Sequence, residues 1–278
     1  MAENVELLLQ STNNNFKWNV MQKKITILNF SNIYKEENFY KNAAVTWIDC
    51  SDICGADCFC DSEAAQKICQ RIKNLSPHGL HFIDSGNYHY ISKFFTDKIH
   101  EAFSLVVFDH HPDMQPPLFE QILTCGDWVK GVLDNNIFIK KIVLVGTSDK
   151  LIANIPNKYS HRIVCFPESK LHDRQAWQRF YNLHFSNPIY VSIDKDVLSP
   201  TDEATNWDQG KATLPELKRL VVSLLQHNRL IGVDICGECN YSIAGLLDKN
   251  IQENDYVNGE LLKLLNAPCY SPKTQNNQ

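Results

Sequence analysis

The stretch Ser104-Leu-Val-Val-Phe-Asp-His-His-Pro-Asp113 limits what this chain can become more than any other part of it. Four apolar residues, Leu105 to Phe108, run directly into a group of ionisable ones. A short apolar run rich in β-branched residues reads as a buried strand. Side chains two apart in an extended chain point the same way, so Asp109, His111 and Asp113 converge if the chain stays extended past the strand end. Pro112 has no N–H to give to a ladder, so the strand has ended by there. Two carboxylates and an imidazole thus lie just beyond the C-terminal end of a buried strand, the edge at which open α/β sheets bind ligands. Such groups repel and desolvate one another unless a positive charge sits among them. A divalent metal answers this, since carboxylates and neutral imidazole together suit Mn, Zn or Fe. The competing reading is an N-capping Asp, a solvated His pair and a turn Asp.

A second stretch, Pro188-Ile-Tyr-Val-Ser-Ile-Asp-Lys-Asp-Val-Leu198, has the same design. The apolar strand Ile189 to Ile193 delivers Asp194 and Asp196 facing one way, with Lys195 facing the other. A pair of turn aspartates is the plainer alternative, but two strands ending in this chemistry are much less expected by chance than one. Further strands are expected at 25–30, 45–53, 79–84, 139–146, 162–166 and 230–235. Helices are expected at 61–75, 91–102, 127–135, 172–183, 214–226 and 258–265, the fifth with Thr213 as cap and Pro215 in its first turn. Strands alternating with helices imply an α/β fold with a mainly parallel sheet covered on both faces. No repeat or Pro/Gly/Ser-rich linker divides the 278 residues, which read as one domain with 1–22 and 271–278 loose.

Asp109-His-His-Pro-Asp113 resembles the D-x-H-x-D motif of the ureohydrolases, the arginase/agmatinase/formimidoylglutamase family, and Ser192-Ile-Asp-Lys-Asp196 resembles their S-x-D-x-D motif. Ser85-Gly-Asn-Tyr-His89 stands where that family has a Gly-Gly-Asp-His turn. The resemblance covers roughly residues 80 to 240. It implies a three-layer α/β/α sandwich and two Mn²⁺ per chain, with Zn²⁺ the lesser alternative. One ion would be held by His89, Asp109, Asp113 and Asp194, the other by His111, Asp109, Asp194 and Asp196. It further implies hydrolysis of a linear non-peptide C–N bond in a guanidino, amidino or formimino compound. A hydroxide bridging the ions would attack, and Asp113 would pass a proton to the departing amine.

The departures concern the substrate. The family places a Glu three residues beyond a late-strand Asp to hold the cationic end; here Asp234 and Glu238 are four apart, and Glu238 is the candidate, with Asp234 structural. Leu123-Thr-Cys-Gly-Asp-Trp-Val129 lacks the shuttle His of arginases, so L-arginine is not the expected substrate. His110 is a candidate proton shuttle, or else a packed or solvated residue. Trp207 and Asp208 could line the pocket and read a cation by π-face and charge. The runner-up readings are a zinc deacylase of the same fold, suggested by the His110-His111 pair, and a non-catalytic metal-binding or metabolite-sensing relative.

Composition narrows the partners. A net charge of −5 and a pI near 6.0 give no basic footprint for nucleic acid. No segment approaches a membrane span, and the acidic start resembles no signal peptide, so a cytoplasmic protein is expected. The expected partners are a small cationic metabolite and other copies of the chain, since the family tends to oligomerise. Of ten cysteines, Cys50, Cys54, Cys58 and Cys60 crowd together without paired C-x2-C spacing and read as free thiols rather than a zinc ribbon.

Overall fold

The computed structural model describes residues 24–117, 119, 122–239 and 247–267; the ends expected to be loose, 1–22 and 271–278, lie outside them. Eight strands follow in chain order: β1 (Ile25–Asn29), β2 (Val45–Asp49), β3 (Gly79–Phe82), β4 (Phe103–Phe108), β5 (Ile139–Val145), β6 (Ile163–Phe166), β7 (Ile189–Asp194) and β8 (Leu230–Cys236). They form one parallel sheet in the spatial order β2-β1-β3-β8-β7-β4-β5-β6. The helices are α1 (Ser62–Ile72), α2 (Ile91–Thr96), α3 (Trp128–Asn135), α4 (Asp149–Ile152), α5 (Arg174–Tyr181), α6 (Leu214–His227) and α7 (Leu247–Asn266).

Alternation along β4 shows how the layers form. Leu105 and Val107 enter one core with Ile68 of α1, Phe95 of α2 and Trp128 of α3. Val106 and Phe108 enter the other with Phe180 of α5, Leu217 of α6 and Leu261 of α7. The result is a three-layer α/β/α sandwich with a parallel central sheet, as the strand–helix alternation requires. Thr213 caps α6 as read from the sequence, and α1 has a side-chain cap as well. The Asp61 carboxylate accepts from Ala64 N at the start of α1, and Thr213 with Glu216 forms a capping box on α6. Such a cap contributes about 1 kcal/mol.

Three boundaries differ most from expectation, each for a local reason. β2 stops at Asp49, not 53, because the Asp49 carboxylate accepts from Ser51 N and Oγ and turns the chain. α2 stops at Thr96, whose carbonyl is taken by the Asn136 amide at 3.1 Å. α7 starts at Leu247, well ahead of 258. Its inner face carries fully buried Asn254 and Asn258, which interrupt the apolar period. Among the described residues, no helix is long and apolar enough to cross a membrane.

The adjacent central strands β3, β8, β7 and β4 end at the same edge of the sheet. Every ionisable cluster singled out above lies at or just past those ends.

Candidate metal centre

The exit from β4 is bent rather than extended. The chain turns at His110–His111, and Asp113 sits at φ 48°, in the left-handed region a non-glycine residue rarely occupies. The strain is held by the surroundings: the Trp128 indole N–H donates to Asp113 Oδ2 at 2.6 Å, and Lys130 N to the Asp113 carbonyl at 3.2 Å. Asp109, His111 and Asp113 therefore converge through a turn and a left-handed residue, not through simple two-residue alternation.

The exit from β3 is shaped by Asp84, which is fully buried at φ 66°. Its carboxylate accepts from Phe30 N, Ser31 N and Ser85 N, each at 2.8 Å. This fixes the short 3₁₀ turn Gly86–Tyr88 that presents His89. His89 Nε2 meets Ser192 Oγ at 2.8 Å. With that nitrogen engaged, Nδ1 is aimed at Asp109 Oδ2 and Asp113 Oδ2, 3.1 Å from each, and at Asp194 Oδ2, 3.4 Å away. At the end of β7, Asp194 Oδ1 accepts from Asp196 N at 3.0 Å, and His111 Nδ1 lies 2.8 Å from Asp196 Oδ2.

Among the described residues the donor atoms form three groups of metal-ligand proximity: His89–Asp109–Asp113 and Asp109–His111–Asp196, joined at Asp109, and His89–Asp194–Cys236, joined to the first at His89. Metal–N and metal–O bonds of about 2.1 Å place neighbouring donors about 3.0 Å apart at right angles and about 3.4 Å apart at tetrahedral angles. The His89 separations fall on those edges. Electrostatics agree. Burial, then Asp196 and Asp109, push Asp194 up to about 7, and burial with Asp109 pushes Asp196 up to about 6. Burial opposes charge on His111, yet hydrogen bonds to Asp109 and Asp196 raise it to about 12. The cluster draws positive charge to itself, and its carboxylate–imidazole donor set fits a pair of divalent cations.

A cavity of about 170 Å³ opens over these groups. Phe59 and Trp207 wall it, Cys58, Cys125, Gln115 and Thr124 complete its rim, and no Lys or Arg lines it among the described residues. The Trp207 ring stands 5.9 Å from that of His111. Cys58 and Cys125 oppose each other across the short antiparallel pair Phe59–Cys60 and Leu123–Thr124, with Cys125 N donating to the Cys58 carbonyl at 3.0 Å.

Three expected site residues are placed elsewhere. Glu238 is fully buried behind the site, accepting from Lys195 Nζ at 2.6 Å and from the Asn254 and Asn258 amides at 2.8 Å each. The residue three beyond Asp234 is Gly237, at φ 101°, where a Cβ would lie 2.6 Å from Asp194 Oδ1. That position faces the centre and has no side chain, so the extra residue sends the carboxylate to the back. His110 does not line the cavity; its Nδ1 lies 3.6 Å from Glu168 Oε2. Asp208 is exposed and also absent from the lining. Trp207 lines the cavity. Cys50, Cys54, Cys58 and Cys60 are free thiols, and among the described residues they form no metal-type group.

Sequence reasoning missed Ser192 as the partner of His89, Trp128 as the partner of Asp113, and Cys236. Cys236 had a signal: it stands at the end of β8, level with Asp194 across the ladder. Trp128 had none, because it arrives from α3.

The Arginase family model matches residues 22–240. An uncharacterized protein of Thermotoga maritima is 30% identical over 246 residues, which is 87% of this chain and 89% of that protein. The agmatine ureohydrolase of Thermoplasma volcanium superposes with a TM-score of 0.63 at 12% identity, over 94% of this chain and 96% of that one. A Trypanosoma cruzi formiminoglutamase variant with Mn²⁺ gives 0.64 at 12% identity, over 94% and 97%. These solved structures share the fold.

Proposed function

The chain belongs to the arginase family, and from that premise we propose that it is a binuclear, manganese-dependent hydrolase of a linear non-peptide C–N bond. The substrate is a guanidino, amidino or formimino compound other than L-arginine. The observation that carries this reading is the joining of two metal-type groups through Asp109, with Asp194 Oδ2 3.4 Å from His89 Nδ1. His89, Asp109, Asp113 and Asp194 would hold one ion, and His111, Asp109, Asp194 and Asp196 the other. Two divalent cations bound there supply the charge that makes water nucleophilic near neutral pH.

The chain's own groups do the rest. Ser192 holds the His89 ring so that Nδ1 keeps its lone pair toward the centre. Asp113 Oδ2 accepts from the Trp128 N–H, and Oδ1 would carry a proton to the departing amine. Trp207 and Phe59, both lining the cavity, would contact a planar cation through their rings. With no Lys or Arg among the described lining residues, nothing there pairs a substrate carboxylate. This supports a small cationic metabolite without an amino-acid head. The deacylase alternative needs a His pair facing one metal, and His110 is turned toward Glu168 instead.

The test is elemental analysis after re-equilibration with Mn²⁺, followed by a panel of guanidino and formimino compounds assayed for release of urea, ammonia or formamide. Two ions per chain with turnover is the expected result. No bound metal would refute the centre, and two ions without turnover would leave a metal-binding relative that is not an enzyme.

A further inference from the structure

Cys236 ends β8 directly opposite Asp194 in the parallel ladder. The register turns both side chains toward the same corner of the sheet edge. Cys236 Sγ lies 3.2 Å from Asp194 Oδ2, and that same oxygen lies 3.4 Å from His89 Nδ1. The three donors sit within 4.8 Å of one another, and all three residues are buried. A buried thiol is often a small hydrophobe, but one serving only to pack has no reason to aim sulfur at a carboxylate and an imidazole. The chain geometry holds it there. Gly237 leaves β8 with its backbone pressed on Asp194, where any Cβ would come within 2.6 Å of Oδ1. The separations also suit coordination, since bonds of about 2.1 Å to oxygen and about 2.3 Å to sulfur put neighbouring donors about 3.1–3.6 Å apart.

The two ion positions then differ in kind. Among the described residues, the group at His111 consists of carboxylate and imidazole donors, with Asp109 and Asp196 its near neighbours. The one at His89 has sulfur within reach. Thiolate favours zinc and iron over manganese. Resting on the two-ion reading above, we propose that Cys236 is a direct thiolate ligand of the ion at His89, and that it raises this position's preference for zinc or ferrous iron over manganese relative to the His111 position, while both still accept manganese. On binding, the S–H bond breaks, a metal–sulfur bond forms, and the proton passes to solvent; no electron moves.

The experiment strips the purified protein with chelator and reloads it with Zn²⁺, then separately with Co²⁺. X-ray absorption of the zinc form should show one sulfur scatterer at about 2.3 Å. The cobalt form should show thiolate-to-metal charge-transfer absorption. That band should survive Cys58→Ser and Cys125→Ser, the two thiols in the cavity wall, and vanish in Cys236→Ser. The same variant should lose about tenfold or more of its preference for Zn²⁺ over Mn²⁺, the scale expected from altered surroundings of a metal site. Two bound ions with only nitrogen and oxygen scatterers would overturn this proposal and leave the hydrolase reading standing. Failure to bind any metal would overturn both. If Cys236→Ser does not fold, the sulfur scatterer in the unaltered protein decides the matter.

Discussion

Replacing Lys195 by Met probes the ion network beneath the centre. Lys195 Nζ lies 2.6 Å from Glu238 Oε1 and 2.9 Å from Glu203 Oε1, and all three side chains are fully buried. Burial raises Glu203 to about 8, and burial with the Glu238 charge raises Glu37 well above 4.5. Glu238 is the ionised partner. Against its burial, the Lys195 charge and the hydrogen bonds from Glu37 and Asn258 hold it below 4.5. With Met at 195 the lone carboxylate has no cation and takes up a proton. Each pH unit between 4.5 and 7 costs about 1.4 kcal/mol, so the penalty is about 3.4 kcal/mol at pH 7 and about 0.7 kcal/mol at pH 5. The pH 7 figure sits within the roughly 3–5 kcal/mol found when one partner of a buried pair is removed. The sign follows from linkage. In the variant the folded pKa of Glu238 rises above its unfolded value, so stability is intact below that value and falls as pH increases. In the unaltered chain its depressed pKa works the other way. Urea unfolding of chelator-treated protein at both pH values measures the difference, about 2.7 kcal/mol between them. The double variant Lys195→Met/Glu238→Gln should recover most of the loss at pH 7. An equal loss at pH 5 and pH 7 would show that packing, not charge, governs the site.

Asp194→Asn should drop bound metal from two ions per chain to one or none by elemental analysis, as the proposal that this carboxylate bridges both ions requires; full retention would remove its bridging role. Manganese affinity, followed by titration calorimetry, should rise with pH between 5 and 8, because Asp196 and Asp194 shed protons near 6 and 7 and His111, raised to about 12, must also release its proton to bind; an affinity independent of pH would refute this. Glu203→Gln should flatten the pH dependence of stability: Glu203, raised from 4.5 to about 8, is at its most stabilising below 4.5 and loses that contribution as pH climbs toward 8. Trp207→Ala should raise KM several-fold with little change in kcat, as expected for a ring that binds a cation but touches no reacting atom.

The parallel sheet and the metal-type groups were legible because both rest on local rules. Apolar β-branched runs make strands, and Asp109, His111, Asp113, Asp194 and Asp196 follow two of those runs within five residues. His89 was legible through the resemblance. What failed depended on a single residue or on distant partners. Gly237 shifts the frame after β8, and Glu238 then turns inward to Lys195. His110 was ambiguous because the bend at 110–111 sets its direction, and Glu168, from a distant loop, faces it. The length of α7 was hidden because Asn254 and Asn258 bury amides against carboxylates where the pattern expects apolar groups.

The strand order also bears on how the molecule is made. β7 and β8, the last two strands synthesised, occupy the middle of the sheet, between β3 on one side and β4 on the other. Until they emerge, the earlier strands are two separate half-sheets, β2-β1-β3 and β4-β5-β6, each with an unpaired inner edge that invites association with other chains. His89 belongs to one half and Asp109, His111 and Asp113 to the other; Asp194 and Asp196 arrive with the wedge that joins them. On the ribosome these side chains therefore stay apart until β7 and β8 have been translated. A chain ending before β8 is expected to accumulate as aggregate, not as a weakened protein.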